Sequence, residues 1–132
     1  MGLANFLRAA SLGVALFANA LQAFAGSADY SFETAHPAVK TGEAIELAVR
    51  LIHKPSGKPV AGAILFRTRL DMSPDDMVAM TGKHLATATS EPGVYRFKAD
   101  LTMAGGWALK IMAKVPGEAD TVHGTVVFQA KD

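Results

Sequence analysis

The chain has 132 residues, and its 13 Lys and Arg residues nearly balance its 12 Asp and Glu residues, for a formal net charge of +1. A nearly neutral chain argues against nucleic acid as a partner, because phosphate binding requires clustered Lys and Arg side chains. The chain has no cysteine, so disulfides and thiolate metal ligands are excluded. Methionine and histidine are then the residues left to bind a soft metal ion.

The first 25 residues have the composition of a secretory signal. Arg8 is followed by an apolar run, and Ala23 and Ala25 form an A-x-A cleavage pattern. Such a run is too short and wrongly flanked for a spanning helix, although a retained membrane anchor is the alternative interpretation. We expect a periplasmic or secreted protein whose mature domain is residues 26–132, with no stable membrane insertion after the signal is removed.

Apolar and polar residues alternate with a period of two over most of the remaining chain, which predicts β-strands. In chain order, the predicted strands are Asp29–Ala35, Glu43–His53, Ala63–Met72, Lys83–Ser90 (the weakest), Val94–Leu101, Trp107–Val115 and Thr121–Ala130. About seven short strands separated by Gly and Pro turns favour an all-β fold, an immunoglobulin-like β-sandwich, over a small barrel.

The phase of the alternation predicts which side chains face the core. The predicted inward residues are Ile45, Leu47, Val49, Leu51, Ile64, Phe66, Leu70, Tyr95, Phe97, Ala99, Leu101, Trp107, Leu109, Ile111 and Val115. Met72 and Met103 continue two of these rows, whereas Met112 falls on the outer face. Trp107 is interpreted mainly as core, although its indole could also shield a thioether-bound Cu(I) ion.

The segment Asp71–His84 holds three of the six methionines and one of the four histidines. Ser73 can cap a helix and Pro74 suits its first position, so a short helix or loop is predicted to carry the methionines. On a helix, Met77 and Met80 would share one face, and His84 could fold back toward them.

Thioether sulfur and imidazole are ligands that suit Cu(I), and methionine discriminates against hard ions. The candidate metal ligands are Met77, Met80 and His84, with Met72 and Met103 as additional candidates. Two to four of these five residues would complete a site. Sites built from methionine and histidine also suit Ag(I) and Cu(II). The alternative is that the methionines only fill irregular gaps in the core.

Four sequence signals occur in a fixed order between Glu43 and Val115: "GKPVAGAILF", "LDMSPDDM", "PGVYRF" and "LTMAGGWALKI". This order resembles the YtkA-like and FixH-related family of exported bacterial domains. The resemblance implies an immunoglobulin-like β-sandwich associated with copper handling, beside copper pumps that serve oxidase assembly or with heavy-metal efflux systems.

Two motifs of that family can be carried over residue by residue. Its Met-Pro-Met loop matches Met72, Pro74 and Met77, with Ser73 and two acids inserted, and its M-x-G-x-W signature matches the stretch from Met103 to Trp107. FixH proper is anchored in the membrane, whereas this chain has the pattern of a free exported domain.

We therefore predict a periplasmic module that binds or delivers copper, with Cu(I) favoured. A copper pump, an efflux adaptor or an oxidase-assembly protein are the candidate partners, and the module is expected to be a monomer or a weak dimer. The alternative function is an accessory interaction domain that holds no metal and uses its methionines as an adaptable contact surface. The sequence lacks a nucleophile elbow, a phosphate loop and a reactive cysteine, so we do not expect an enzyme.

Overall fold

The computed structural model describes residues 26–132, which form two packed β-sheets. The prediction of an all-β sandwich is confirmed. The strands are β1 (Tyr30–Glu33), β2 (Ala38–Lys40), β3 (Gly42–His53), β4 (Lys58–Pro59), β5 (Ile64–Met72), β6 (Met77–Thr81), β7 (His84–Thr87), β8 (Val94–Leu101), β9 (Gly105–Lys114) and β10 (Val122–Lys131). Single turns of 3-10 helix lie at Gly26–Asp29 and Ser73–Asp75. The predicted secretory signal lies outside the described residues.

The first sheet has the strand order β1-β3-β8-β7, with β4 paired to β3, and the second has the order β2-β10-β9-β5-β6. Strand β9 pairs antiparallel with both β5 and β10, while the short β2 pairs parallel with β10. Strands β6 and β7 follow one another in the chain but are edge strands of different sheets. The two residues between them therefore carry the chain from one sheet to the other.

The inward rows of β3, β8 and β9 lie where the alternation predicts. The fully or almost fully buried side chains include Leu47, Val49, Leu51, Phe97, Ala99, Leu101, Trp107, Leu109, Ile111 and Val115, which pack with Val122, Val126 and Phe128 of β10. Ile45 and Tyr95 are partly buried against this cluster. Burial of these rows between the sheets is the main stabilising contribution, since apolar area removed from water is worth about 25 cal/mol per Å².

A β-bulge in β5 overturns the prediction for Ile64 and Phe66. Leu65 pairs with Ala113 and Arg67 pairs with Met112, so Phe66 is an extra residue without a partner on β9. The extra residue reverses the phase of the strand. Leu65 therefore packs against the core, while Ile64 is 66% exposed and Phe66 is 50% exposed.

Three short strands were not predicted from the sequence. Strands β2 and β4 have only three and two residues, too few to show a period. Strand β6 lies inside the segment predicted to be a helix or loop. Among residues 26–132, no helix is long and apolar enough to cross a membrane.

Candidate metal centre

The methionine-rich segment is one turn of 3-10 helix, Ser73–Asp75, followed by strand β6. Pro74 lies in the first positions of this turn, as predicted. The Ser73 side chain does not cap it; instead, the Ser73 N–H donates to Asp71 Oδ1 over 3.0 Å. Met77 and Met80 therefore lie in a strand, and the expectation that they share one face of a helix is wrong.

Strand β6 bulges away from β5 and exposes Met80. Met72 pairs with Met77, and Asp71 pairs with Thr81. Three residues of β6 thus lie between two paired positions whose partners are adjacent in β5, so the extra residues must loop outward. Met80 is 39% exposed.

Met72 and Met77, at the two ends of the turn, face the interior. Met72 is fully buried, and Met77 packs against the same hydrophobic cluster while remaining partly exposed. The Met72 Cε lies 2.8 Å from the position that a Cβ on Gly105 would occupy. The predicted core role of Met72 is therefore confirmed.

Two consecutive glycines let the 3-10 turn pack directly on the start of β9. The Gly106 N–H donates to Asp75 Oδ2 over 3.1 Å. A Cβ on Gly105, whose φ is +135°, would contact both Asp75 and Met72. A Cβ on Gly106 would lie 2.8 Å from Pro74 Cβ. Gly105 of the M-x-G-x-W signature and the Gly106 that follows it are thus needed for close approach of the turn, which the sequence did not reveal.

Met103 lies in the loop between β8 and β9, and its side chain is 37% exposed. The expectation that it continues the inward row of β8 is therefore wrong. Its carbonyl oxygen accepts a hydrogen bond from Trp107 Nε1 over 3.1 Å. This bond satisfies the indole N–H of a fully buried Trp107, and the core interpretation of Trp107 is confirmed.

The indole of Trp107 also contacts the chain just after Met80. A Cβ on Gly82 would lie 3.2 Å from Trp107 Cζ3, and the Gly82 N–H donates to the Leu70 carbonyl oxygen. The end of β6 and the loop of Met103 thus meet the same side chain. Met80 and Met103 thus lie in segments that border Trp107, and Met72 and Met77 lie at the two ends of the turn that packs on Gly105 and Gly106.

His84 differs from the methionines because both of its ring nitrogens have hydrogen-bond partners. Nδ1 lies 3.0 Å from the Gly82 carbonyl oxygen, and Nε2 lies 2.7 Å from Thr68 Oγ1. A carbonyl only accepts, so Nδ1 carries a proton, and in the neutral imidazole Nε2 accepts from the Thr68 hydroxyl. Coordination of a metal by Nε2 would have to replace this bond, which links β5 of one sheet to β7 of the other.

The buried carboxylate of Asp71 holds the 3-10 turn in place by a hydrogen bond from its first residue, Ser73. Its Oδ2 accepts from Arg69 Nε over 2.8 Å and from Lys110 Nζ over 3.0 Å, while its Oδ1 accepts from the Ser73 N–H. Burial alone would raise the pKa of Asp71, but the hydrogen bonds from Ser73, Arg69 and Lys110 outweigh it and hold the pKa well below its usual range. Sequence reasoning missed this residue, although Arg69 two positions earlier on the same strand face was an available signal.

The described residues contain no cluster of the side chains that hard ions and zinc prefer as ligands. Within residues 26–132, no group of three or more His, Asp or Glu side chains is placed to hold a metal, and hard ions and zinc prefer such groups. The three other histidines lie elsewhere: His36 is exposed between β1 and β2, His53 Nδ1 pairs with Ser56 Oγ over 2.8 Å, and His123 is exposed on β10. Met80 and Met103 are the exposed methionines at this end, and thioether sulfur is a soft ligand.

The fold and the site define a small β-sandwich with exposed methionines at one end. The chain matches the family model of YtkA-like proteins over residues 24–112, a range that includes all five candidate ligands. The chain belongs to the YtkA-like family. A comparison with curated proteins gave no match.

Proposed function

We propose that this protein is an exported, non-catalytic module that binds Cu(I) through methionine thioethers and passes it to a partner protein. The observation that carries the proposal is the exposure of Met80 and Met103 at one end of the sandwich, in a chain that has no cysteine. Both side chains belong to segments that meet at Trp107.

The chemistry of the donors supports Cu(I). Thioether sulfur is a soft ligand that binds Cu(I) and discriminates against Mg²⁺ and Ca²⁺. Unlike a thiol or an imidazolium, a thioether has no proton to lose before it binds, so metal affinity varies little with pH. Such a site remains competent in an oxidising compartment, where a free thiolate would be drawn into disulfides.

The five candidate ligands differ in how directly they could contact an ion. Met80 and Met103 are exposed and are the primary ligands in this proposal, with the partly exposed Met77 as the third. Met72 is fully buried and packs against Gly105 at the turn. His84 could join only after its Nε2 leaves Thr68, so its contribution is expected to be secondary.

Exposure of the primary ligands also suits transfer of the ion. A partner can approach Met80 and Met103 from solvent and replace one thioether at a time, without unfolding the core. The family resemblance makes a copper pump, an efflux adaptor or an oxidase-assembly protein the candidate recipients. Export to the periplasm, inferred from the N-terminal sequence, would place the module beside such partners.

The test is an anaerobic competition titration of Cu(I) between the purified protein and a chromophoric chelator. The double variant Met80→Leu, Met103→Leu keeps side-chain volume but removes both sulfur atoms. We expect one Cu(I) per protein in the wild type, and a loss of affinity of at least roughly tenfold in the double variant, corresponding to about 1.4 kcal/mol.

Met112→Leu is the matched control, because Met112 lies on the outer face of β9 and is partly buried. It should leave Cu(I) affinity unchanged. Combined replacement of Met77, Met80, Met103 and His84 without any change in affinity would eliminate the proposed site.

The accessory-domain function remains the second candidate because apolar side chains are exposed on the adjacent edge strands. Val78 of β6 is 54% exposed and Leu85 of β7 is 70% exposed, and exposed apolar side chains of this kind mark contact surfaces when they are contiguous. Failure of the wild-type protein to bind Cu(I), together with capture of a purified efflux or oxidase-assembly component that survives the double replacement, would favour this function.

A further inference from the structure

The outer face of the second sheet carries a depression whose near edge is Arg69, which donates to the Val78 carbonyl oxygen of β6 over 2.7 Å. It has a volume of about 430 Å³ and spans β5, β9 and β10. Its lining is formed by Arg67, Arg69, Lys110, Ile111, Met112, His123, Gly124 and Thr125. Arg67 and Met72 are five positions apart in β5, which corresponds to roughly 16 Å along a strand.

Positive charge is concentrated in this depression. Arg69 and Lys110 are direct partners across β5 and β9, an arrangement of like charges that destabilises a sheet unless it is compensated. Both donate to the same oxygen, Asp71 Oδ2. One buried carboxylate therefore compensates only one of these two cations. Together, Arg67, Arg69, Lys110 and Asp71 have a local formal charge of +2. The chain as a whole has a net charge of only +1, so this face is distinctly asymmetric.

Arg67 is the cation that the fold leaves available. It is exposed at the bulge of β5 and pairs across the sheet with Met112. Among residues 26–132, no hydrogen-bond or ion-pair partner is found for its guanidinium. The adjacent bulge residue Phe66 is exposed beside it, and the one acid of β5, Asp71, accepts from Arg69 and Lys110 instead.

Further polar donors lie across the strands from these cations. Thr125 of β10 pairs with Lys110, and His123 pairs with Met112. The rows Arg67–Met112–His123 and Arg69–Lys110–Thr125 therefore cross the floor of the depression. A guanidinium, an ammonium and a hydroxyl that converge from three strands are suited to an oxyanion, since a guanidinium binds phosphate oxygens in a bidentate manner.

We propose that this depression is a binding site for a phosphate group, with Arg67 as the principal contact and Lys110, Thr125 and His123 around it. The phosphate could belong to a free anion or to the headgroup of an anionic lipid, because both present the same oxygens. None of its principal residues is a candidate metal ligand, but Lys110 is connected to the turn of the methionine segment through Asp71.

The test follows backbone amide shifts of the purified chain by NMR while two probes are added separately. Inorganic phosphate represents the free anion. Vesicles of phosphatidylglycerol in phosphatidylcholine represent the lipid source and are compared with vesicles of phosphatidylcholine alone. We expect saturable shifts, or vesicle-dependent loss of signal, centred on Arg67, Thr125 and His123, and weaker binding at higher NaCl concentration.

The variant Arg67→Ala should weaken binding at least roughly tenfold, because hydrogen bonds to a charged group are lost. Arg50→Ala is the matched control, since Arg50 is an exposed arginine on β3 of the other sheet, and it should bind as the wild type does. Binding of phosphate alone would assign a free anion, and additional binding of the anionic vesicles would assign a lipid headgroup. The proposal is overturned if neither probe produces saturable changes, or if Arg67→Ala, folded by its amide spectrum, binds as tightly as the wild type.

Discussion

Met72 and Met80 belong to one short segment but have opposite surroundings. Met72 ends β5 inside the core and is fully buried, whereas Met80 lies in the bulge of β6 and is 39% exposed. A buried thioether contributes packing, and an exposed one can exchange ligands with solvent or a partner. The comparison shows that backbone geometry, and not residue type, separates the structural methionine from the candidate ligand.

The largest expected difference between these two residues is in stability. Met72→Ala should lower the free energy of unfolding by about 2–5 kcal/mol, because it leaves a cavity in a close-packed core. Met80→Ala should change it by no more than about 0.5 kcal/mol, as is usual for surface substitutions. Urea denaturation of both variants measures this, and equal losses would remove the distinction drawn here.

The next largest effect on stability is expected at Gly105, which packs against Met72. Gly105→Ala should destabilise the protein by about 1–3 kcal/mol, because the residue has φ of +135° and its Cβ would collide with Asp75 and Met72. Thermal unfolding would measure the loss.

Gly117→Ala is the control that separates backbone strain from steric collision of the added Cβ in that experiment. Gly117 also has a positive φ, +84°, but a Cβ there would meet nothing within 4 Å. We expect it to be the less destabilising of the two variants. If both variants lose the same stability, collision with Met72 is not the reason that Gly105→Ala is destabilising.

Asp71 makes the buried side of the turn sensitive to acid. In the folded state the pKa of Asp71 is held below its usual range. Its contribution to stability is therefore complete above the pKa of the unfolded chain, about 3.9, and is lost as the pH falls through the folded-state pKa. At pH 7, Asp71→Asn should lower the free energy of unfolding by about 1–3 kcal/mol. This difference from the wild type should shrink below about pH 4.

Unfolding measured at several pH values between neutral and strongly acidic conditions would test this dependence. Asp120→Asn, which alters an exposed carboxylate in the loop before β10, is the control and should show little difference at any pH. A constant difference for Asp71→Asn across the range would mean that the ion pairs with Arg69 and Lys110 do not stabilise the turn.

Most of the sandwich could be predicted from the sequence because long strands repeat their pattern several times. In β3 and β9 the inward rows that end at Leu51 and begin at Trp107 lie as expected. The bulge at Phe66 could not be predicted, because one inserted residue has no characteristic composition and reverses the phase of every residue on one side of it. Short strands such as β2 and β4 offered too few residues for any pattern.

The candidate ligands could be selected by residue type, but their accessibility could not. Exposure of Met80 depends on pairing in β6, and the position of Met103 depends on a hydrogen bond from Trp107. The partners of His84 come from another sheet and from a turn. Side-chain hydrogen bonds and strand pairing of this kind leave no trace in local periodicity, so the sequence could propose the chemistry of the site but not its arrangement.

Thr68→Val gives the smallest effect and distinguishes His84 from the methionines. Loss of the hydroxyl that donates to His84 Nε2 should lower the free energy of unfolding by about 1 kcal/mol. It also frees the Nε2 lone pair. If the thioethers of Met80 and Met103 hold Cu(I), the affinity of Thr68→Val should stay within about twofold of the wild type in the competition titration. A clear rise in affinity that His84→Gln abolishes would instead make His84 a primary ligand, one that the native protein restrains through Thr68.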